Sequence, residues 1–248
     1  SIGYYAANQT TVGGDNIFIG SYAGMCAGDS GCSHRNIGIG CLALQYAGKA
    51  GGTYSRCNVA IGNCAGKRIT TGDKNTVIGD AAYGYCDGTG GNNVFVGTAA
   101  ALKATTSNHS TFLGSYAGAY GIVTGNYNNL FGSLAGCKLT TGSHNVYLGF
   151  RSGWCNSTGS GNVLLGNYTS SDSTSASYNI AIGNKVCLPV ANGDHQLAIG
   201  IGATHWITGD SNFNVGIGTT IPTNTPGVGN TSILAVGIVS AYQLYGDG

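Results

Sequence analysis

The chain has 248 residues, a formal net charge of +1 and 45 glycines, and only 8% of its residues are charged, against roughly 25% in an ordinary globular domain. So little net charge excludes long-range attraction of nucleic acid or other polyanions. No apolar run reaches the roughly 18 residues of a membrane span, and no secretion signal is visible.

One short phrase organises the chain from its first residues onward. An apolar residue followed by glycine recurs at Gly3, Gly20, Gly40, Gly62, Gly79, Gly97, Gly114, Gly132, Gly149, Gly166, Gly183, Gly200 and Gly218, mostly 17 or 18 residues apart. A period held this long predicts a repeat architecture. With that glycine as position 0, position −1 is aliphatic or Phe in all thirteen copies. Position −7 is small throughout, and position +3 is Ala in nine copies. Position −4 is Asn at Asn16, Asn36, Asn58, Asn75, Asn93, Asn128, Asn145, Asn162, Asn179 and Asn214, with Ser110 and Gln196 as the exceptions.

Each unit thus reads as a turn, an Asn, a three-residue apolar strand, a Gly and a second short segment. Such a unit cannot enclose a core alone, but stacked on its neighbours it can. The expected fold is all-β, a parallel β-solenoid (a β-roll or narrow β-helix) of about 13 coils with a 17-residue period. At the spacing of hydrogen-bonded strands it would form a rod about 55–60 Å long. The Asn column is expected to form an amide ladder along the stack. Glycine at 0 and at −7 is expected to supply positive φ where the coil bends.

Position −2 carries Phe18, Val77, Phe95, Phe112, Leu130, Tyr147 and Leu164. The strands are apolar at −3, −2 and −1 together, as strands covered on both faces are. If −1 and −3 fill the coil, −2 points outward, and so large an apolar stripe needs cover. The expectation is a homotrimer with these −2 residues at a shared axis. The competing reading is that the second half of the same coil folds over them.

In chain order, the solenoid is expected over residues 1–220. It opens in mid-unit at Ser1-Ile2-Gly3, suggesting a longer parent chain or a capping partner. The second and third intervals lengthen to 20 and 22 residues, through insertions at 25–32 and 49–54. Insertions in a solenoid map to flanking loops. Six of the ten basic residues (Arg35, Lys49, Arg56, Lys67, Arg68, Lys74) lie here, either as a solvated rim or as a binding patch. Pro222 and Pro226 cannot donate to a strand ladder, so 221–248 reads as a transition into a different β module.

Catalytic and metal signatures are not prominent. Nine cysteines form no C-x-x-C; Cys26 and Cys32 close one inserted loop and are a possible disulfide, and Cys137 with Cys155 is a second possibility. The five histidines form no H-x-H, and the regularly spaced Asp73, Asp80 and Asp87 fall on different sides of the coil. No cofactor, metal or catalytic residue is expected, and a non-enzymatic role follows. Fifteen Tyr among Thr, Ser and Asn suit contact with sugars, although Tyr and Thr also favour strand surfaces for their own sake.

The unit N-apolar-x-apolar-G-x-x-A-G resembles the repeats of phage tail-fibre and related virion fibre proteins, best at Asn75–Gly79, Asn93–Gly97 and Asn145–Gly149. The junction from Asn214 through Gly218 to Pro222 resembles the end of such arrays, and Gly237-Ile238-Val239-Ser240-Ala241 resembles cyanophage-type fibre segments. Asn58-Val59-Ala60-Ile61-Gly62 is more loosely similar to the β-roll heads of trimeric autotransporter adhesins. The resemblance implies a trimeric fibre or spike shaft on a virion or other extracellular surface. It would present loops to a host surface, a glycan among its candidate ligands, with other virion or fibre proteins joined at both ends. A bacterial adhesin head and a purely structural filament are the alternatives.

Overall fold

A computed structural model describes residues 1–9, 13–27, 33–49, 54–212 and 214–218, and the backbone of 234–236. Its strands are β1 (Ile17–Ile19), β2 (Ser33–His34), β3 (Ile37–Ile39), β4 (Ser55–Arg56), β5 (Val59–Ile61), β6 (Thr76–Ile78), β7 (Val94–Val96) and β8 (Thr111–Leu113). These are followed by β9 (Asn129–Phe131), β10 (Val146–Leu148), β11 (Val163–Leu165), β12 (Ile180–Ile182), β13 (Leu197–Ile201), β14 (Thr204–Gly209), β15 (Val215–Ile217) and β16 (Leu234–Val236).

From β1 to β13 each three-residue strand pairs in parallel with the same strand of the next unit, in unbroken register. The result is an all-β parallel solenoid of about ten turns, not the 13 that counting glycines suggested. β2 and β4 pair on their own as a small second ladder at the lengthened coils. Beyond β13 the winding stops. β14 runs antiparallel to β13, and β15 antiparallel to β14. The regular stack therefore ends at Ile201, short of the expected boundary at 220. The last copy of the motif, at Asn214, is paired through a hairpin strand rather than on the preceding coil. The backbone of β16 pairs in parallel with β15; the rest of the 221–248 module lies outside the described residues.

The amide ladder forms as expected, and it uses every valence of the side chain. Asn145 Nδ2 donates to Asn128 Oδ1 of the previous coil (3.0 Å) and to the Gly159 carbonyl of the next (2.9 Å). Its own Oδ1 accepts from the backbone N–H of Asn162 (3.0 Å) and from Asn162 Nδ2 (3.1 Å). The same pattern repeats at Asn58, Asn75, Asn162 and Asn179. Asn93 keeps it too, with the Ser110 N–H donating to Asn93 Oδ1 at the next step, and Gln196, whose N–H donates to Asn179 Oδ1, ends the column. Asn214 lies beyond the stack and bonds Asp210.

Position −2 faces the other way from the expectation. Phe18, Val77, Phe95, Phe112, Leu130, Tyr147 and Leu164 are all fully or almost fully buried inside the single chain's own core. They cannot line an axis between copies. The reason is strand parity: successive side chains alternate faces, so −2 must share the inward face of the Asn at −4. The competing reading holds, since the second half of the coil folds over −2. That half supplies the +3 alanines from Ala23 to Ala135, all buried, and a glycine at +4 against Phe18, Phe112 and Tyr147. A Cβ on Gly24 would lie 2.6 Å from the Phe18 ring. Phe95 and Phe112 then stack along the axis with centroids 4.9 Å apart.

Positive φ is also distributed differently. The glycines at 0 have it, Gly200 excepted (Gly132, φ 137°), and a Cβ on Gly132 would meet the Gly149 carbonyl oxygen at 2.5 Å. The −7 glycines do not; they are small because the next coil's −7 carbonyl presses against them. Left-handed residues instead occupy −5, +2 and +4, many of them not glycine, such as His144, Arg151 and Tyr83. Each costs about 1–2 kcal/mol in isolation. The flip turns its N–H along the stack: Arg151 N donates to Ser133 O (3.0 Å), and Tyr83 N to Ala100 O (2.9 Å).

Two substitutions test this account. Asn145→Ala strands the Gly159 carbonyl and the Asn162 N–H in the interior, at about 1–3 kcal/mol for each unsatisfied group, while Asn128 Oδ1 keeps the backbone N–H of residue 145. Urea unfolding is expected to show a loss of several kcal/mol, whereas Asn126→Ala gives up two half-exposed hydrogen bonds from Asn108 and loses about 1–2 kcal/mol. Phe112→Asp buries an unpaired carboxylate and is expected to abolish the β signal in circular dichroism, whatever the protein concentration.

Candidate functional site

The alternation that buries −4 and −2 turns −5, −3 and −1 outward on one flat side of the rod. The −3 and −1 columns are apolar along nearly the whole stack. Ile17 is 50% exposed, Leu148 51% and Ile180 43%, and Ile19, Ile61, Ile78 and Val94 are also exposed. Only Thr76, Thr111 and Asn129 interrupt the two columns between β1 and β13. Ten steps of about 4.8 Å make this stripe about 50 Å long, and the three strand residues from −3 to −1 give it about 10 Å of width.

Column −5 borders the stripe with stacked rings. His109 and Tyr127 lie parallel at 5.1 Å, Tyr127 and His144 at 4.9 Å, and Tyr178 and His195 at 5.1 Å. Three of the five histidines therefore share one repeat position, a regularity that their lack of an H-x-H motif does not show. Beside it, column −6 forms a second polar ladder that the Asn pattern had overshadowed. There Asn126, Ser143, Ser160, Ser177 and Asp194 each cap the backbone N–H of the preceding coil, the Asp194 carboxylate accepting from Ser177 N at 2.7 Å.

Two of the six basic residues of the lengthened coils are paired with carboxylates of the following coil. Arg56 pairs with Asp73 (3.4 Å) and Arg68 with Asp87 (2.7 Å). Arg56 also lies over the Tyr54 ring, and Lys49 over Tyr46. Two adjoining clefts of about 360 and 370 Å³ share Tyr46 and Arg68 in their walls, and each also holds a carboxylate, from Asp87 and Asp80 respectively. A third, of about 460 Å³, lies where the stack gives way to the hairpin, between Tyr178, His195, Leu197 and Asp210. Among the described residues no set of three His, Cys or Asp side chains is placed to hold a metal ion, and no helix is long and apolar enough to cross a membrane.

Arg151 differs from the other arginines. Its guanidinium lies 4.1 Å from the Trp154 ring, 5.3 Å from Phe150 and 5.5 Å from Tyr168, on the rim formed by positions +1, +2 and +5. Its Nε is buried without a hydrogen-bond partner, and no carboxylate among the described residues pairs with it. This cluster was not singled out from the sequence, although its signal was there: residues 88–171 contain no Asp or Glu at all.

The expected Cys26–Cys32 bridge involves Cys32, which lies outside the described residues. Cys137 and Cys155 are both free thiols. Burial pushes the Cys137 thiol up to about 11, and Cys64 and Cys187 are also raised by burial. At pH 8 only about one Cys137 in a thousand is thiolate, and thiolate is the reactive form. Cys41 and Cys57 are exposed. Mass-resolved labelling with iodoacetamide at pH 8 is therefore expected to modify Cys41 and Cys57 first and Cys137 last.

No protein-family model, no curated protein and no solved structure matches the chain.

Proposed function

We propose that this chain is a non-enzymatic shaft segment of an extracellular fibre or virion spike, assembled from parallel copies that share the outward −3/−1 stripe. The observation that carries this reading is the stripe itself. An apolar band about 50 Å by 10 Å offers roughly 500 Å², at the upper end of the largest patch on a typical monomer, and the stacked rings of column −5 beside it bring the face toward the roughly 800 Å² per partner of a stable interface. Soluble monomers rarely leave so large a continuous band bare.

A parallel copy matches best because the stripe repeats every 4.8 Å or so, so knobs at −3 and −1 meet equivalent gaps along the whole length. Three copies is the stoichiometry implied by the resemblance to tail-fibre repeats, with the shared face moved from −2 to −3 and −1. The rod form supports a spacer role: each coil is braced only by its neighbours, so length is gained by adding units. The outward loops and rim residues remain available for attachment to a host surface.

Sedimentation velocity on the wild-type chain is expected to report a trimer. The double substitution Leu148→Asp and Ile180→Asp puts two charges into the proposed interface while touching no core residue. It is expected to yield monomers with unchanged circular dichroism. A wild-type chain that sediments as a monomer at micromolar concentration defeats the reading.

A further inference from the structure

We infer that the rim around Arg151 is a binding site for a carboxylated saccharide. This deepens the attachment part of the fibre reading and depends on it only for its biological setting. The site is built from three consecutive coils. Phe150, Arg151 and Trp154 come from one, Tyr168 from the next, and Lys138 from the coil before. The backbone fixes them: Phe150 N donates to Asn167 Oδ1 (3.0 Å), Arg151 N to Ser133 O (3.0 Å) and Tyr168 N to Phe150 O (2.8 Å). Phe150 and Tyr168 stand nearly perpendicular, 83° apart, with centroids 5.2 Å from each other.

Charge makes the case for an anion. Lys138 Nζ lies 6.0 Å from the same Trp154 ring that Arg151 covers, so two cations share one aromatic platform. Elsewhere on the rod, Arg56 and Arg68 carry their own carboxylates on the following coil. Here the arginine makes no ion pair among the described residues: between Asp87 and Asp172 the only charged residues are Lys103, Lys138 and Arg151, and the nearest acid in the sequence is Asp172, on the coil of Tyr168. In a chain with 8% charged residues, a stretch of that length with three cations and no acid is an uncompensated field. The three rings hold the guanidinium and bury its Nε without a partner, leaving its remaining donors to meet a ligand.

Chemistry narrows the class. A guanidinium presents paired donors that match the two oxygens of a carboxylate. Aromatic faces and edges pack on the C–H face of a pyranose ring, as the flat rings of Tyr and Trp do at wet interfaces. A free inorganic anion would use the first feature and leave the rings idle. An acidic sugar uses both. Sialic acid at a glycan terminus and a uronic acid in a polysaccharide share this chemistry, and separate probes tell them apart.

The test uses the full chain carrying Trp206→Phe, so that Trp154 is the sole indole. Its fluorescence is titrated with 3′-sialyllactose, tetragalacturonate, lactose and sodium sulfate. Saturable quenching by one of the two acidic saccharides, with none by lactose or sulfate, is the expected result. Arg151→Gln is expected to weaken that binding at least tenfold, and Arg151→Lys to weaken it less. Lys138→Gln, an exposed substitution that leaves the ring packing alone, is expected to weaken it severalfold and serves if Arg151→Gln does not fold. The inference is overturned if neither acidic saccharide binds, if lactose or sulfate binds as well, or if a folded Arg151→Gln or the Lys138→Gln chain binds unchanged. Sedimentation of the same samples separates the two readings: a trimer that ignores both acidic probes removes the site and leaves the shaft.

Discussion

The fold depends on one interaction, the asparagine amide that bridges three consecutive coils. Its two donors and two acceptor positions are all spent along the axis, and the atoms they satisfy are backbone groups that short strands leave open. Asn162 shows the economy of this: its N–H and Nδ2 both reach Asn145 Oδ1, and the other Nδ2 hydrogen reaches the Ala176 carbonyl at 2.8 Å. An amide in water would bond equally well, so the net gain per bond is modest, about 1 kcal/mol. Its stabilising force is conditional. Once the coil is closed and dry, any missing member leaves several groups unsatisfied together, so the ladder enforces register more than it adds stability.

The left-handed residues extend the same logic to the half of the coil that has no strands. At +2 the N–H points back to the previous coil, and at +4 it points forward to the next. Leu134 donates to Ser115 O, and Gly136 to Ser152 O. Flipping alternate peptides lets this segment hydrogen-bond to its neighbours in both directions while it stays tightly curved. The strain is local and the repayment is between coils, so it is recovered only in the stack. A lone unit would have every reason to avoid that conformation, which is the physical meaning of a repeat too thin to fold singly.

Much of this was legible. Period, strand position, parallel register, the Asn column and positive φ at the repeat glycine all follow from aligning the units. The facing of −2 was equally legible and was read backwards. Asn at −4 and Phe or Leu at −2 must share a face, so an inward amide column already fixed an inward aromatic one. Size misled: a large side chain seemed to demand a partner chain, when glycine at +4 had made room for it inside. The left-handed positions were not legible. Their residues are Tyr, His, Leu, Cys and Arg, with no common chemistry to mark a backbone state, because hydrogen bonding between coils rather than side-chain preference selects it. The antiparallel turn at β14 was hidden for a related reason, since Asn214–Gly218 repeats the motif faithfully while the chain before it takes a hairpin.

Because the backbone and the inward positions are committed to holding the rod together, whatever distinguishes one coil from another must lie at −5, −3 and −1 and along the rim. These outward columns behave differently along the axis. Columns −3 and −1 stay apolar from coil to coil, as a surface shared along its whole length would require. Column −5 changes from Arg35, Cys57 and Lys74 in the early coils to stacked His and Tyr later, and the rim collects Arg151 and its rings at one level only. A property repeated at every step suits assembly, and a property confined to one step suits recognition. The Arg151 rim is of the second kind: its charge is uncompensated over five coils, while the amide ladder beneath it continues without a change of pattern.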